Sequence, residues 1–144
     1  MKELYFYVLF AAIFAAQTGL IIGGILDPVS LYSARNILFN VCVVIVVLYM
    51  GWNLSEFGIK KVAIKGAIAA FVGVTVLACA SIIGYAIGKP ILGVSLPSAA
   101  YLFIPLLAIL LLNVILFTVF AVVGAWIAQR FKPSQMKKKE TGSI

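Results

Sequence analysis

Histidine is absent, and acidic residues number only four in a chain of 144. Without histidine there is no His-ligated haem, no His-bearing zinc site and no imidazole general base. The carboxylates are Glu3, Asp27, Glu56 and Glu140, and none lies inside a long apolar run. No acidic group is therefore placed to carry protons or sodium ions within a membrane. Two cysteines, Cys42 and Cys79, sit singly in separate apolar stretches, with no CxxC pair to suggest thiol exchange. Both read as small hydrophobes. Neither a metal nor a cofactor is expected.

Charge as a whole is scarce, at 10% of residues, against about 25% in soluble domains. What fills the chain instead is apolar: 65% of residues are hydrophobic and the mean hydropathy is +1.20. A domain of this size keeps much of its surface outside its core and cannot bury that excess. The sequence thus predicts an integral membrane protein.

Four apolar segments stand out, at about 5–26, 36–54, 62–87 and 99–128. Each reaches the roughly 17–25 residues that a helix needs to cross a bilayer. The runs are continuous rather than alternating, which excludes a β-barrel. The fold class is therefore all-α, a polytopic bundle of four transmembrane helices over residues 1–131, followed by a basic, disordered tail over 132–144. The first segment is longer than a signal-peptide core and lacks a good cleavage site, so it reads as a retained helix.

Lys and Arg set the orientation. One side would hold Lys2, Lys60, Lys61, Lys65, Arg130, Lys132, Lys137, Lys138 and Lys139, nine in all, against Arg35 and Lys89 on the other. That asymmetry puts both termini in the cytoplasm, in the plasma membrane. Trp52 and Trp126 then fall near the inner interface, and Tyr32 and Tyr101 near the outer one. The basic tail would meet anionic lipid. Nucleic acid is not an expected partner, because the positive charge lies in flanks and loops rather than on a folded face. Short loops predict that consecutive helices are antiparallel neighbours. Pro105 predicts either a kink in the last segment or a short interfacial helix before it. The mixed stretch from Ser55 to Lys61 would lie along the inner headgroup layer.

An internal repeat is visible. Ile21-Ile22-Gly23 returns as Ile82-Ile83-Gly84, and Ser30-Leu31-Tyr32-Ser33-Ala34 matches Ser95-Leu96-Pro97-Ser98-Ala99 at four of five positions. This is compatible with two tandem helical hairpins. Small residues recur at four-residue spacing: Ala11, Ala15, Gly19 and Gly23 in the first span, and Ala80, Gly84 and Gly88 in the third. Such stripes let helix backbones approach closely. They are expected to pack within the chain, or against another membrane protein or a second copy.

Gln17, Asn40, Thr75 and Asn113 place polar side chains within the spans. They would serve as interhelical hydrogen-bond partners, or else line a polar pathway. At the outer face, Asp27 and Arg35 are expected to form an ion pair, with a small anion site at Arg35 and Lys89 as the alternative. No catalytic residues emerge. Two functions fit. The first is a non-catalytic accessory, scaffold or assembly subunit of a membrane complex. The second is a small oligomeric transporter or channel that uses the mid-membrane amides.

Overall fold

The computed structural model describes residues 2–29, 33–93 and 98–131. The expected tail over 132–144, Tyr32, and residues 30–32 and 95–97 of the suggested repeat lie outside them. Among the described residues there are four α-helices: α1 (Lys2–Ile22), α2 (Ala34–Leu54), α3 (Ile59–Ala86) and α4 (Phe103–Phe131). All four are long and apolar enough to cross a membrane. At 1.5 Å per residue, α1 and α2 are about 31 Å long and α3 and α4 about 42–44 Å, against a hydrocarbon core of about 30 Å.

The helix ends follow local chemistry. Ser33 caps α2 by accepting from the Asn36 amide, satisfying one of the free donors of the first turn. Pro105 falls in the first turn of α4, where its missing N–H has no helical partner to lose. A short 3-10 turn, Ala99–Leu102, precedes it, so of the two expectations for Pro105 the short preceding helix is the one found. Over Ser55 to Lys61 a single 3-10 turn, Ser55–Phe57, is joined to α3, which starts at Ile59, through Gly58 at φ 83°.

The ends of α1 and α3 close alike. Gly24 and Gly88 each take a positive φ, 75° and 72°, which glycine adopts at no steric cost. Beyond them, the Ile25 amide donates to the Leu20 carbonyl at 2.9 Å and the Lys89 amide to the Gly84 carbonyl at 2.8 Å. This is the same five-residue return in both places, and it satisfies carbonyls that the helix end leaves open.

Sequence neighbours are not always spatial neighbours. The extensive contacts join α3 to α4, α2 to α4 and α1 to α3, whereas α1 and α2 touch only slightly. α2 and α3 also touch only slightly, so the expectation that short loops make consecutive helices pack is correct for α3–α4 and wrong for α1–α2 and α2–α3. In α1 the buried residues are Phe6, Phe10, Phe14, Gln17, Thr18 and Ile21, mostly one face at three- and four-residue spacing. Phe10 and Phe14 meet Phe117 of α4, with ring centroids 5.2 and 6.4 Å apart.

Glycines do make the closest helix approaches, but not those of the predicted stripes. A Cβ on Gly51 of α2 would overlap the Ala121 carbonyl of α4, and one on Gly124 of α4 would overlap the Leu48 carbonyl of α2. A Cβ on Gly66 of α3 would stand 2.9 Å from the Phe117 carbonyl, and one on Gly73 would stand 2.6 Å from the Phe14 ring. The α1 stripe does not pack within the chain. Ala15, Gly19 and Gly23 are exposed and Ala11 is half-buried, and no neighbouring atom lies within 4 Å of a Cβ built on Gly19. The physical reason is that α1 turns its larger phenylalanine face inward, where burying rings gains more contact than burying alanine. On α3, Ala80 is half-buried, Gly84 makes room for Lys89 and Ile91 of the following loop, and Gly88 is an exposed turn residue.

The two ends of the bundle are tied differently. On the side of the chain's termini, Lys65 pairs with Glu3 and its ammonium lies 3.9 Å from the Phe57 ring centre. There Trp52 stacks on Phe131 and Arg130 lies over Trp126. On the opposite side, Val29 and Leu92 form a parallel bridge between the two loops.

A candidate amide-lined cavity

The loop-side cap holds the first group of predicted site residues. Asp27 accepts from the Ser33 hydroxyl at 2.7 Å, and Arg35 donates to the Ile25 carbonyl at 2.9 Å. The expected Asp27–Arg35 ion pair is therefore not formed. Lys89 donates to the Ile22 carbonyl at 3.0 Å. Both cations thus serve the carboxyl end of α1, where open carbonyls and the helix dipole favour positive charge. That use explains the charges without a bound anion. Asn36, 1% exposed, donates to the carbonyls of Asp27 and Pro28 at 3.2 and 2.9 Å. It holds the first loop over the bundle, and its role was not foreseen.

The polar residues within the spans divide into two kinds. Thr75 is exposed and donates to its own helix at the Phe71 carbonyl, 2.8 Å away. Ser81 does the same to Leu77 at 2.7 Å. Such return bonds satisfy a hydroxyl in apolar surroundings without any partner helix. Thr75 therefore leaves the predicted pathway.

Gln17, Asn40 and Asn113 instead come together. All three line one cavity of about 400 Å³, enclosed by Phe14 of α1, Val43 and Val44 of α2, Leu77 of α3, and Ile109, Leu112 and Phe117 of α4. This volume lies within the range of ordinary small-molecule sites, about 300–1,000 Å³. Helix rise places Gln17 about 8 Å, Asn40 about 9 Å and Asn113 about 15 Å from the loop-side ends of their helices. The cavity thus occupies the loop-side half of the bundle. It exists because α2 and α4 lock together at Gly51 and Gly124, nearer the opposite end, and leave room between their other halves.

None of the three amides makes the interhelical hydrogen bond expected of it. Asn113 donates to the Ile109 carbonyl of its own helix at 2.8 Å. A carbonyl can only accept, so the Asn113 amide nitrogen faces Ile109 and its Oδ1 remains available. Gln17 is only 4% exposed and, among the described residues, has no hydrogen-bond partner. Among the described residues the fully buried side-chain polar atom without a partner is Asn36 Oδ1, in the cap. The Gln17 amide instead opens onto the cavity, with its donors and acceptor unfilled. Among the described residues no charged side chain lines the cavity, and no group of three or more His, Cys, Asp or Glu could hold a metal.

Sequence reasoning found Gln17, Asn40 and Asn113 from their polarity in apolar runs. It missed the glycines that shape the cavity. Their signal was present as small residues at four-residue spacing in Gly66/Ala70, Ala69/Gly73, Ala121/Ala125 and Gly124/Ala128. Compared with family models, with curated proteins and with solved structures, the chain matches none.

Proposed function

We propose that this protein is a non-catalytic ligand-binding membrane protein, a small carrier that holds an uncharged molecule in the amide-lined cavity. One observation carries the reading: Gln17, buried and unpartnered, shares a cavity of about 400 Å³ with Asn40 and Asn113. Amides offer both donors and acceptors without charge, so they suit a neutral guest. The cavity lies inside a single chain, so an oligomer is not required to build the site. With nine Lys and Arg residues on the terminal side against two on the loop side, the termini face the cytoplasm of a plasma membrane, and the cavity belongs to the outer leaflet.

The test is thermal unfolding in detergent with a panel of uncharged compounds, both water-soluble and lipid-soluble. A ligand that binds only the folded state raises its stability by mass action. At least one compound should raise the melting temperature of the wild type and not that of Gln17→Leu. A panel that moves neither protein, or moves both equally, contradicts the reading.

A second reading, an accessory or assembly subunit, is favoured by the bare small-residue face of α1. Ala15, Gly19 and Gly23 are exposed there, and small residues let another helix approach in lipid. Gly19→Leu would then abolish co-purification with a partner membrane protein or with a second copy. Unchanged association would remove this reading.

A further inference from the structure

With the ligand-binding reading as its basis, the chemistry of the cavity also selects a class of ligand. The geometry points to an uncharged amphiphile, an apolar chain bearing a hydroxyl group, that reaches the cavity sideways from the bilayer through the seam between α2 and α4.

The cavity wall shows where it opens. Its buried lining residues, Phe14, Gln17, Val43, Leu77 and Phe117, stand at the back, while Asn40, Ala108, Leu112 and Leu116 are exposed. Every exposed member belongs to α2 or α4, so the opening faces the lipid between these two helices. A second groove of about 400 Å³ lies along the same seam, lined by Ile37, Val41, Ile45 and Phe120. Asn40 and Val44 line both spaces. They form the sill between a lipid-facing apolar groove and an amide-bearing interior.

This layout matches a molecule with two ends. An apolar chain fits the groove, whose lining apart from Asn40 is wholly apolar. A polar head would pass Asn40 and reach Gln17 and Asn113. The free Oδ1 of Asn113 asks for a donor, and the unpartnered amide of Gln17 can accept or donate. A hydroxyl meets both, since it donates one hydrogen and accepts another. A carboxylate or ammonium head would bring charge to a lining that holds no counter-charge, at a steep desolvation cost.

The experiment uses photoactivatable sixteen-carbon probes with a mid-chain diazirine and three heads: a hydroxyl, a carboxylate and a terminal methyl. The full chain is labelled in phosphatidylcholine vesicles, and the modified residues are mapped. The alcohol should mark the seam around Val41, Ile45 and Phe120 several-fold more than the other two probes. Val44→Trp, which fills the sill, should abolish that preference, and Gln17→Leu should remove most of it. Gln17→Leu also carries the test should the tryptophan variant fail to fold. Equal labelling by all three heads, or a preference undiminished in Gln17→Leu, overturns the proposal. If water-soluble compounds stabilise the protein through Gln17 while the alcohol shows no preference, this inference fails and the ligand-binding reading stands. If nothing stabilises the protein and no probe prefers the seam, both fail.

Discussion

Gly51 and Gly124 stand on facing helices, and each admits the other helix's backbone. A Cβ on Gly51 would overlap the carbonyl of Ala121, three residues before Gly124, and a Cβ on Gly124 would overlap the carbonyl of Leu48, three residues before Gly51. The reciprocity brings the two backbones into direct contact at this crossing, and it fixes where the two helices part to leave the cavity. Lipid tails are as apolar as side chains, so close packing rather than water expulsion holds such a crossing together.

Gly51→Ala and Gly124→Ala should each therefore destabilise the bundle by about 1–3 kcal/mol, the usual cost of overpacking. The obstructing atoms are backbone and cannot turn aside as a side chain would. Gly19→Ala, placed where nothing lies within 4 Å, should cost nothing and can gain from alanine's helix propensity, by up to about 1 kcal/mol. Thermal or denaturant unfolding in one detergent would compare the three variants. A Gly51→Ala protein as stable as wild type would show that α2 and α4 do not cross there.

Gly73 and Phe14 form a milder version of the same arrangement. A Cβ on Gly73 would stand 2.6 Å from the Phe14 ring, and that ring also lines the cavity. Gly73→Ala should push the ring, whereas Phe14→Leu should relieve the pressure. The double variant should be more stable than the sum of the single effects predicts, by roughly 0.5–3 kcal/mol of coupling. Strict additivity would contradict the contact.

Asn36 should be the most sensitive polar position in the loop-side cap. Its amide nitrogen serves two loop carbonyls, of Asp27 and Pro28. Asn36→Leu leaves both without that donor, at a cost on the order of 1–3 kcal/mol. Hydrogen exchange should also quicken at the Val29 amide, which donates to the Ile91 carbonyl at 2.7 Å. Unchanged protection at Val29 would separate Asn36 from the loop pairing.

The orientation proposed from charge has a direct check. Cysteines in place of Lys61 and Pro90, both exposed and at opposite ends of the bundle, would be introduced into a background lacking Cys42 and Cys79. An impermeant thiol reagent applied to intact cells should label position 90 and spare position 61. The reverse pattern would invert the topology.

The four helices were legible because length and apolarity alone decide whether a segment can span a bilayer. Pairing was less legible. Short loops suggested that α1 lies on α2, yet α1 packs on α3, since loop length limits reach but side-chain shape selects the partner. The α1 stripe illustrates this: Gly19 has the right spacing for close packing, but Phe6, Phe10 and Phe14 on another face of the same helix take the interior. Gln17, Asn40 and Asn113 could be singled out as polar residues in apolar runs. Their meeting in one cavity could not, because it depends on the Gly51–Gly124 crossing holding α2 and α4 together at one end only. The Asp27–Arg35 pair failed for a different reason: the carbonyls at the end of α1 compete for the same cation.

The central claim is that the amide cavity holds an uncharged ligand, and native mass spectrometry tests it most directly. Wild type and Gln17→Leu would be expressed in the same cells, purified in parallel and released intact from lipid nanodiscs. The account predicts a bound uncharged molecule on the wild type that Gln17→Leu lacks, with both proteins folded and carrying the same peripheral lipid. Identical spectra for the two proteins would contradict it.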